Sequence, residues 1–272
     1  MCKSLKVCLL IIGDEILSGK RSDKHFCNSR EILAKRGLAV DKLIYVKDDL
    51  NSLEKILKFC FADEHIMFSF GGIGSTPDDL TRTACAKALG RKLEFNLDAV
   101  KLVKKRCSEL GIELTQTRLE MARFPRFSKL IPNPISGFPG FSVDHSYFLP
   151  GFPEMASSMM EWILDKNYCD YFKTFSECDF FYKVSGIFES SISNFMELIK
   201  EKYPMFSIYS LPRMLPKDGD PSNVRLELGL KASWLDYNRS GADKTFELAK
   251  NELRREIQRL GGKIVEESFE KR

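Results

Sequence analysis

The stretch Phe70-Gly71-Gly72-Ile73-Gly74-Ser75-Thr76-Pro77-Asp78-Asp79-Leu80-Thr81 holds two kinds of chemistry side by side. Three glycines within four positions allow a sharp turn and leave backbone N–H groups uncovered, so that a phosphate or pyrophosphate can approach closely. Asp78 and Asp79 repel such an anion unless a divalent cation or a proton intervenes, and magnesium is the natural cation. The alternative is that the pair only complements a helix dipole, worth about 0.3–1 kcal/mol per carboxylate. Thr76 has the character of an N-cap, with Pro77 at the first helical position and Asp79 at capping-box spacing, so a helix is predicted to begin where the loop ends. Two further acidic pairs, Asp14-Glu15 and Asp48-Asp49, follow other apolar runs, although Asp is also a common turn former and cap in such loops.

Strand ends are needed to position these segments. Residues 6–12 form a continuous apolar run of strand length, the kind buried on both faces of a parallel sheet. A helical pattern spans 24–36, stopped by Gly37. A second strand is predicted at 42–46, a second helix at 51–61 capped by Asn51 or Ser52, and a third strand at 65–70. Helices follow at 79–89 and 97–110, closed by Gly90 and Gly111. This alternation implies a parallel sheet with helices on both faces, and such sheets bind ligands at the carboxyl ends of their strands, near a switch in strand order. Prolines 125, 132, 134, 139, 150 and 153 exclude a long helix from 125 to 153. Within that segment, residues 146–149 are predicted as a buried strand that delivers Pro150-Gly151 to the same edge, followed by a helix at 153–164.

Residues 1–166 are accordingly expected as one domain, 167–176 as a linker and 177–272 as a smaller one. In the latter, strands are predicted at 180–186, 205–211, 224–230 and 263–265, helices at 189–202 and 245–260, and a turn at 216–221. The β-α-β-β-α-β order is that of a ferredoxin-like α+β sandwich.

A chain of 272 residues can bury two cores without disulfides or metal staples. With 43% apolar residues, 29% charged residues and a net charge of +4, the composition demands no nucleic-acid partner. The clusters Lys104-Lys105-Arg106 and Arg254-Arg255 fall in helical patterns and are expected as solvated faces. Eight cysteines show no C-x-x-C pair and no grouping with the three histidines, which argues against zinc. Several, such as Cys8 and Cys60, lie in apolar segments, as expected of buried thiols in a reducing compartment, here the cytoplasm. The apolar run at 7–12 is too short for a signal peptide, and no segment approaches the roughly 20 apolar residues of a membrane span.

Over residues 7–163 the sequence resembles the MoaB/Mog family of molybdopterin-binding domains, most closely its CinA-like (competence/damage-inducible protein A) branch. The resemblance rests on Gly13-Asp14-Glu15-Ile16-Leu17-Ser18-Gly19, Asp48-Asp49, the glycine loop through Thr81, Pro132-Asn133-Pro134, Pro139-Gly140-Phe141 and Leu149-Pro150-Gly151-Phe152-Pro153-Glu154-Met155, in that order. It implies a three-layer α/β/α domain with a mostly parallel sheet. Such a domain binds molybdopterin, or a related phosphate-bearing nucleotide, through Gly13, Asp14, Glu15, Gly71, Gly72, Gly74, Ser75, Thr76, Thr81, Asn133, Pro134, Gly140, Pro150 and Gly151. It further implies that Asp48, Asp78 and Asp79 serve catalysis, with Asp48 and Asp79 handling magnesium or another divalent cation, and that the chain forms a homo-oligomer. Related adenylyltransferases transfer an adenylyl group to the pterin phosphate. CinA-like relatives are instead associated with metal-dependent hydrolysis of nucleotide diphosphates such as ADP-ribose or FAD, and a non-catalytic ligand sensor is a third possibility. This sequence departs from the family pattern at Ser75, at Asp23-Lys24-His25 where Asp-Thr-Asn is usual, and at Pro153-Glu154-Met155, one residue shorter than usual. Lys24 and His25 add positive charge near a phosphate, and His25 is a candidate ligand contact, although a lone histidine at a helix start is more often a surface or capping group. No C-terminal amidohydrolase domain is expected, and with it no deamidation of nicotinamide mononucleotide.

Overall fold

A computed structural model describes residues 5–173, 177–213, 225–237 and 241–271. The chain divides into two compact units, Met1–Phe172 and Lys173–Arg272. The first unit begins with β1 (Val7–Ile12), a short α1 (Asp14–Leu17), α2 (His25–Ala34), β2 (Lys42–Val46), α3 (Leu50–Phe61) and β3 (Ile66–Phe70). It continues with α4 (Thr81–Ala88), β4 (Leu93–Phe95), α5 (Leu97–Glu109), α6 (Gln116–Glu120), β5 (Arg123–Pro125), β6 (Lys129–Ile131), β7 (Gly140–Val143), β8 (Ser146–Leu149) and α7 (Pro153–Asn167).

The main sheet runs β2-β1-β3-β8-β7-β6. Its first four strands are parallel, while β7 and β6 continue it antiparallel. All six residues of β1 are buried, because the sheet is covered on both faces. Cys8, Leu10 and Ile12 point into one core with Leu53 and Leu57 of α3, Cys85 of α4 and Val103 of α5. Val7, Leu9 and Ile11 point into the other, with Leu33 of α2 and Met160 and Ile163 of α7. The strand period of two therefore sends alternate residues into opposite layers, and the expected α/β/α sandwich follows. Tyr168 is buried in the second of these cores. No helix among the described residues is long and apolar enough to cross a membrane.

The second unit contains β9 (Glu177–Ser185), α8 (Glu189–Lys202), β10 (Ser207–Arg213), β11 (Arg225–Ser233), α9 (Trp234–Tyr237), α10 (Ala242–Arg259) and β12 (Lys263–Lys271). Its sheet is wholly antiparallel, in the order β10-β11-β9-β12, with Ile192 and Ile199 of α8 and Phe246, Leu253 and Ile257 of α10 packed on it. This is the expected smaller α+β domain, with α9 added. The predicted turn at 216–221 lies outside the described residues. The last strand runs to Lys271 instead of ending near 265, and Glu266, Glu267, Glu270 and Lys271 concealed it as an ordinary charged stretch. Charges along an edge strand discourage pairing with other chains.

Candidate functional site

Because β2, β1, β3 and β8 are parallel, their carboxyl ends lie along one edge of the sheet. The chain leaves β1 toward β2 on one side and returns as β3 on the other. Strand ends diverge at such a reversal and leave room for a ligand. A cleft of about 920 Å³ opens there. Gly13 and Glu15 after β1, Asp48 after β2, Gly71 to Thr76 with Asp78 and Asp79 after β3, and Pro150 and Gly151 after β8 all line it, as does Asn133. Four of the expected binding residues do not reach its wall. Asp14 is exposed in α1, Pro134 is exposed, Gly140 is buried in β7, and Thr81 is buried at the start of α4.

The glycine loop passes close under the first strand: a Cβ at Gly71 would lie 2.6 Å from the Ile12 carbonyl oxygen. The helix beyond it begins at Thr81 and not near Pro77, so the predicted N-cap at Thr76 is corrected. Asp79 is the cause. Its Oδ1 accepts from the Gly74 amide at 2.7 Å, and its Oδ2 accepts from the Thr76 amide at 2.7 Å and from the Thr76 hydroxyl at 2.6 Å. The Asp79 carboxylate folds the loop back on itself and delays the helix by one turn.

The Asp48-Asp49 pair also divides its labour. Asp49, and not Asn51 or Ser52, caps α3, with its side chain accepting from the Ser52 amide at 2.8 Å. Asp48 faces the cleft and accepts from the Asp14 amide at 3.1 Å. Partial burial pushes the Asp48 carboxyl above the usual range. The Asp14 N–H opposes this, while the negative charges of Asp14, Glu15 and Asp78 add to it.

Asp48 and Asp79, the carboxylates that the family resemblance assigns to a divalent cation, both line the cleft. Both oxygens of Asp79 already accept loop hydrogen bonds. Among the described residues, no three His, Cys, Asp or Glu side chains are grouped as an all-protein metal site would need, whereas magnesium is commonly held by one or two carboxylates together with a ligand's phosphates.

His25, like Asn133, is a buried polar group of the cleft, and it is only 6% exposed. Its Nε2 stands 3.3 Å from the Gly151 carbonyl oxygen, and its ring stacks on Phe70 with centroids 4.8 Å apart. A carbonyl only accepts, so Nε2–H donates. Burial lowers the histidine pKa from 6.5 against the opposing pull of Asp23, the Gly151 carbonyl, Glu154 and Glu15, leaving a neutral ring at pH 7. The capping role at α2 falls instead to Asp23, whose carboxylate accepts from the amides of His25 and Phe26 at 2.8 and 3.1 Å.

The sign of the His25 contribution to stability follows. As the pH falls through 6.5 the unfolded chain takes up a proton that the folded site resists, so this part of the stability is present above 6.5 and lost below it. Denaturant titrations from about pH 8 to about pH 5 are expected to show a steeper acid loss for the parent than for His25→Gln. Parallel curves would rule out a buried neutral His25.

Sequence reading missed the apolar wall made by Met121, Phe138 and Met155. Met121 follows α6, far from every glycine or acidic motif, and only the fold brings it near. It also missed Arg82, which is buried at 7% exposure beneath the glycine loop. A lone cation in the small, otherwise uncharged run Thr81-Arg82-Thr83-Ala84-Cys85 was the available signal.

Comparison with known proteins places this geometry. The family described as "Probable molybdopterin binding domain" matches residues 8–167. A CinA-like protein of Syntrophotalea carbinolica is 31% identical over 168 residues, covering 60% of this chain and 41% of the relative. A protein of Caldivirga maquilingensis is 32% identical over 166 residues, 60% of this chain and 63% of its own. The matched region thus spans about two fifths to three fifths of these two relatives. A protein of Aeropyrum pernix is 27% identical over 263 residues, 95% of this chain and 96% of its own. The crystal structure of the protein CinA, of unknown function, from Thermoplasma acidophilum aligns with a TM-score of 0.54 at 28% identity, over 60% of this chain and 97% of that one. The glycine loop, the cleft and the α/β/α layers all fall inside the matched segment, and the chain belongs to the MoaB/Mog family of molybdopterin-binding domains, in its CinA-like branch.

Proposed function

We propose that the cleft binds a phosphate-bearing pterin, molybdopterin or a close relative, and that the protein serves molybdenum cofactor biosynthesis as a binding protein. The observation that carries this reading is the state of the loop amides. Among the described residues, the N–H groups of Gly72, Ile73 and Ser75 donate to no protein acceptor, whereas those of Gly71, Gly74 and Thr76 do. Three unclaimed donors on one short loop form a seat for an anion. Beside it, Met121, Phe138, Phe152 and Met155 supply an apolar wall for a flat heterocycle, and the volume suits a small organic ligand.

The acidic residues set a condition on this ligand. Asp48, Asp78, Asp79 and Glu15 line the same cleft as the anion seat, so the bound group must bring enough apolar and hydrogen-bonded contact to offset their repulsion. The unpaired thiols of the seven described cysteines suit a reducing compartment, and a cytoplasmic location goes with this reading.

Calorimetry with a phosphorylated pterin, the same pterin without phosphate, and ADP-ribose tests the proposal. Heat from the phosphorylated pterin alone is expected. Equal affinity for the unphosphorylated pterin would overturn the role given to the loop. Adding magnesium or cobalt with ADP-ribose or FAD, or ATP with molybdopterin, probes turnover. AMP release would establish a nucleotide pyrophosphatase instead, and pterin-dependent pyrophosphate release would establish adenylyl transfer.

A further inference from the structure

The unclaimed amides owe their orientation to two residues that never touch the cleft. In a trans peptide the carbonyl of one residue and the N–H of the next point in opposite directions, and the described chain has no cis peptide. The Gly71 carbonyl accepts from the Thr81 hydroxyl at 3.0 Å, which turns the Gly72 N–H the other way. The Gly72 carbonyl accepts from the Thr81 amide at 3.0 Å, which turns out the Ile73 N–H. The Gly74 carbonyl accepts from Nη2 of Arg82 at 2.6 Å, which turns out the Ser75 N–H, and Nη1 of Arg82 holds the Ile73 carbonyl. Each unclaimed donor therefore belongs to a peptide whose carbonyl is tied down from the α4 side.

Arg82 is unusual in its own right. It is buried, and among the described residues no carboxylate stands within the 4.0 Å of an ion pair. Asp79 and Glu120 act on it only at longer range, and burial lowers its pKa, although a guanidinium remains charged at any physiological pH. A buried charge without a close partner is expensive to maintain, and loop carbonyls are dipoles that offset only part of the cost. An anion seated on the opposite side of the same peptides would lie across one layer of backbone from this charge, with no solvent between.

We propose that Arg82 is a positioning residue of the anion seat: its guanidinium holds the Gly74 carbonyl on the α4 side, which turns the Ser75 amide outward beside the two amides set by Thr81, and it places a fixed positive charge behind the loop for a phosphate group to complement. This rests on the reading of the cleft as a phosphate-bearing pterin site, and it assigns Arg82 an action through the loop and not by contact. Asp79 plays the opposite part, binding the Gly74 and Thr76 amides from within the loop, so the two sets of N–H groups report separately on ligand and on fold.

Backbone amide NMR during titration of the whole chain with inorganic phosphate tests it. The Gly72, Ile73 and Ser75 signals are expected to move, while Gly74 and Thr76, engaged by Asp79, stay nearly still. Arg82→Met keeps most of the buried volume and removes the donors and the charge; a loss of about tenfold or more in phosphate affinity is expected. Arg82→Lys keeps the charge but reaches one carbonyl with a point donor, so intermediate affinity is expected. A folded Arg82→Met protein that binds phosphate within about twofold of the parent would overturn the role of Arg82 while leaving the cleft reading intact. Should that variant fail to fold, the parent spectra still decide: movement of Gly74 and Thr76 with Gly72, Ile73 and Ser75 unmoved refutes the arrangement. If the parent shows no response to phosphate or to a phosphorylated pterin at any of these amides, the cleft reading itself falls, and the proposal with it.

Discussion

Asp79→Asn is expected to weaken phosphate binding in metal-free buffer, although it removes a negative charge from beside the anion seat. The carboxylate accepts three hydrogen bonds across the loop, from the Gly74 amide, the Thr76 amide and the Thr76 hydroxyl. Asparagine offers one acceptor oxygen and turns an NH₂ group toward at least one of those donors, leaving it unsatisfied. Hydrogen bonds to charged groups contribute about 1.5–3 kcal/mol where buried, and the half-exposed position of Asp79 places the expected loss of stability at about 1–2 kcal/mol. Simple electrostatics has the opposite sign, since less negative charge favours an anion. Phosphate affinity measured by calorimetry beside a denaturant curve separates the two. Tighter phosphate binding by a variant of unchanged stability would show that Asp79 acts through its charge and does not shape the loop.

Gly72→Ala should do more damage. Gly72 has φ +67°, and a Cβ there would lie 2.1 Å from Oγ1 and 3.1 Å from Cβ of Thr81. The backbone conformation alone costs about 1–2 kcal/mol for a residue with a side chain. Displacing Thr81 adds about 1–3 kcal/mol of overpacking. Thr81 is also the residue that ties down the Gly71 and Gly72 carbonyls, so the shift would disorient two of the three unclaimed amides. Phosphate binding is expected to drop by more than about tenfold. Gly90→Ala is the control: it shares a positive φ, +62°, but nothing lies within 4 Å of the added methyl. It should show the conformational cost alone, with phosphate affinity unchanged. Equal behaviour of the two variants would mean that the Thr81 contact does not matter.

Much of the first unit could be read from its residues. An unbroken apolar run at β1 and an apolar run at β3, with helical patterns between them and Gly37 closing α2, point to a parallel sheet that buries both faces of these strands. The glycine loop was legible for a similar reason, because three glycines so close together after a strand have no propensity to continue it. The acidic pairs were harder. Asp48 and Asp49 are identical side chains at adjacent positions, yet one enters the cleft and the other caps a helix. Which does which depends on where α3 starts, and that is settled by packing of Leu53 and Leu57 against the sheet.

The same division holds for the molecule as a whole. Local sequence determined the alternation of strands and helices, the sharp turn after β3 and the presence of carboxylates at three strand ends, because these depend on backbone freedom, apolar periodicity and side-chain chemistry within a few residues. Only the tertiary structure decided that Met121 and Met155 wall one cleft, that His25 is buried against Phe70 and Gly151, and that Arg82 lies under the loop with its charge turned to the carbonyls. Those relations join residues far apart in the chain or on opposite sides of a turn, and their energies exist only once the two faces of the sheet have been covered and water has been excluded from between them.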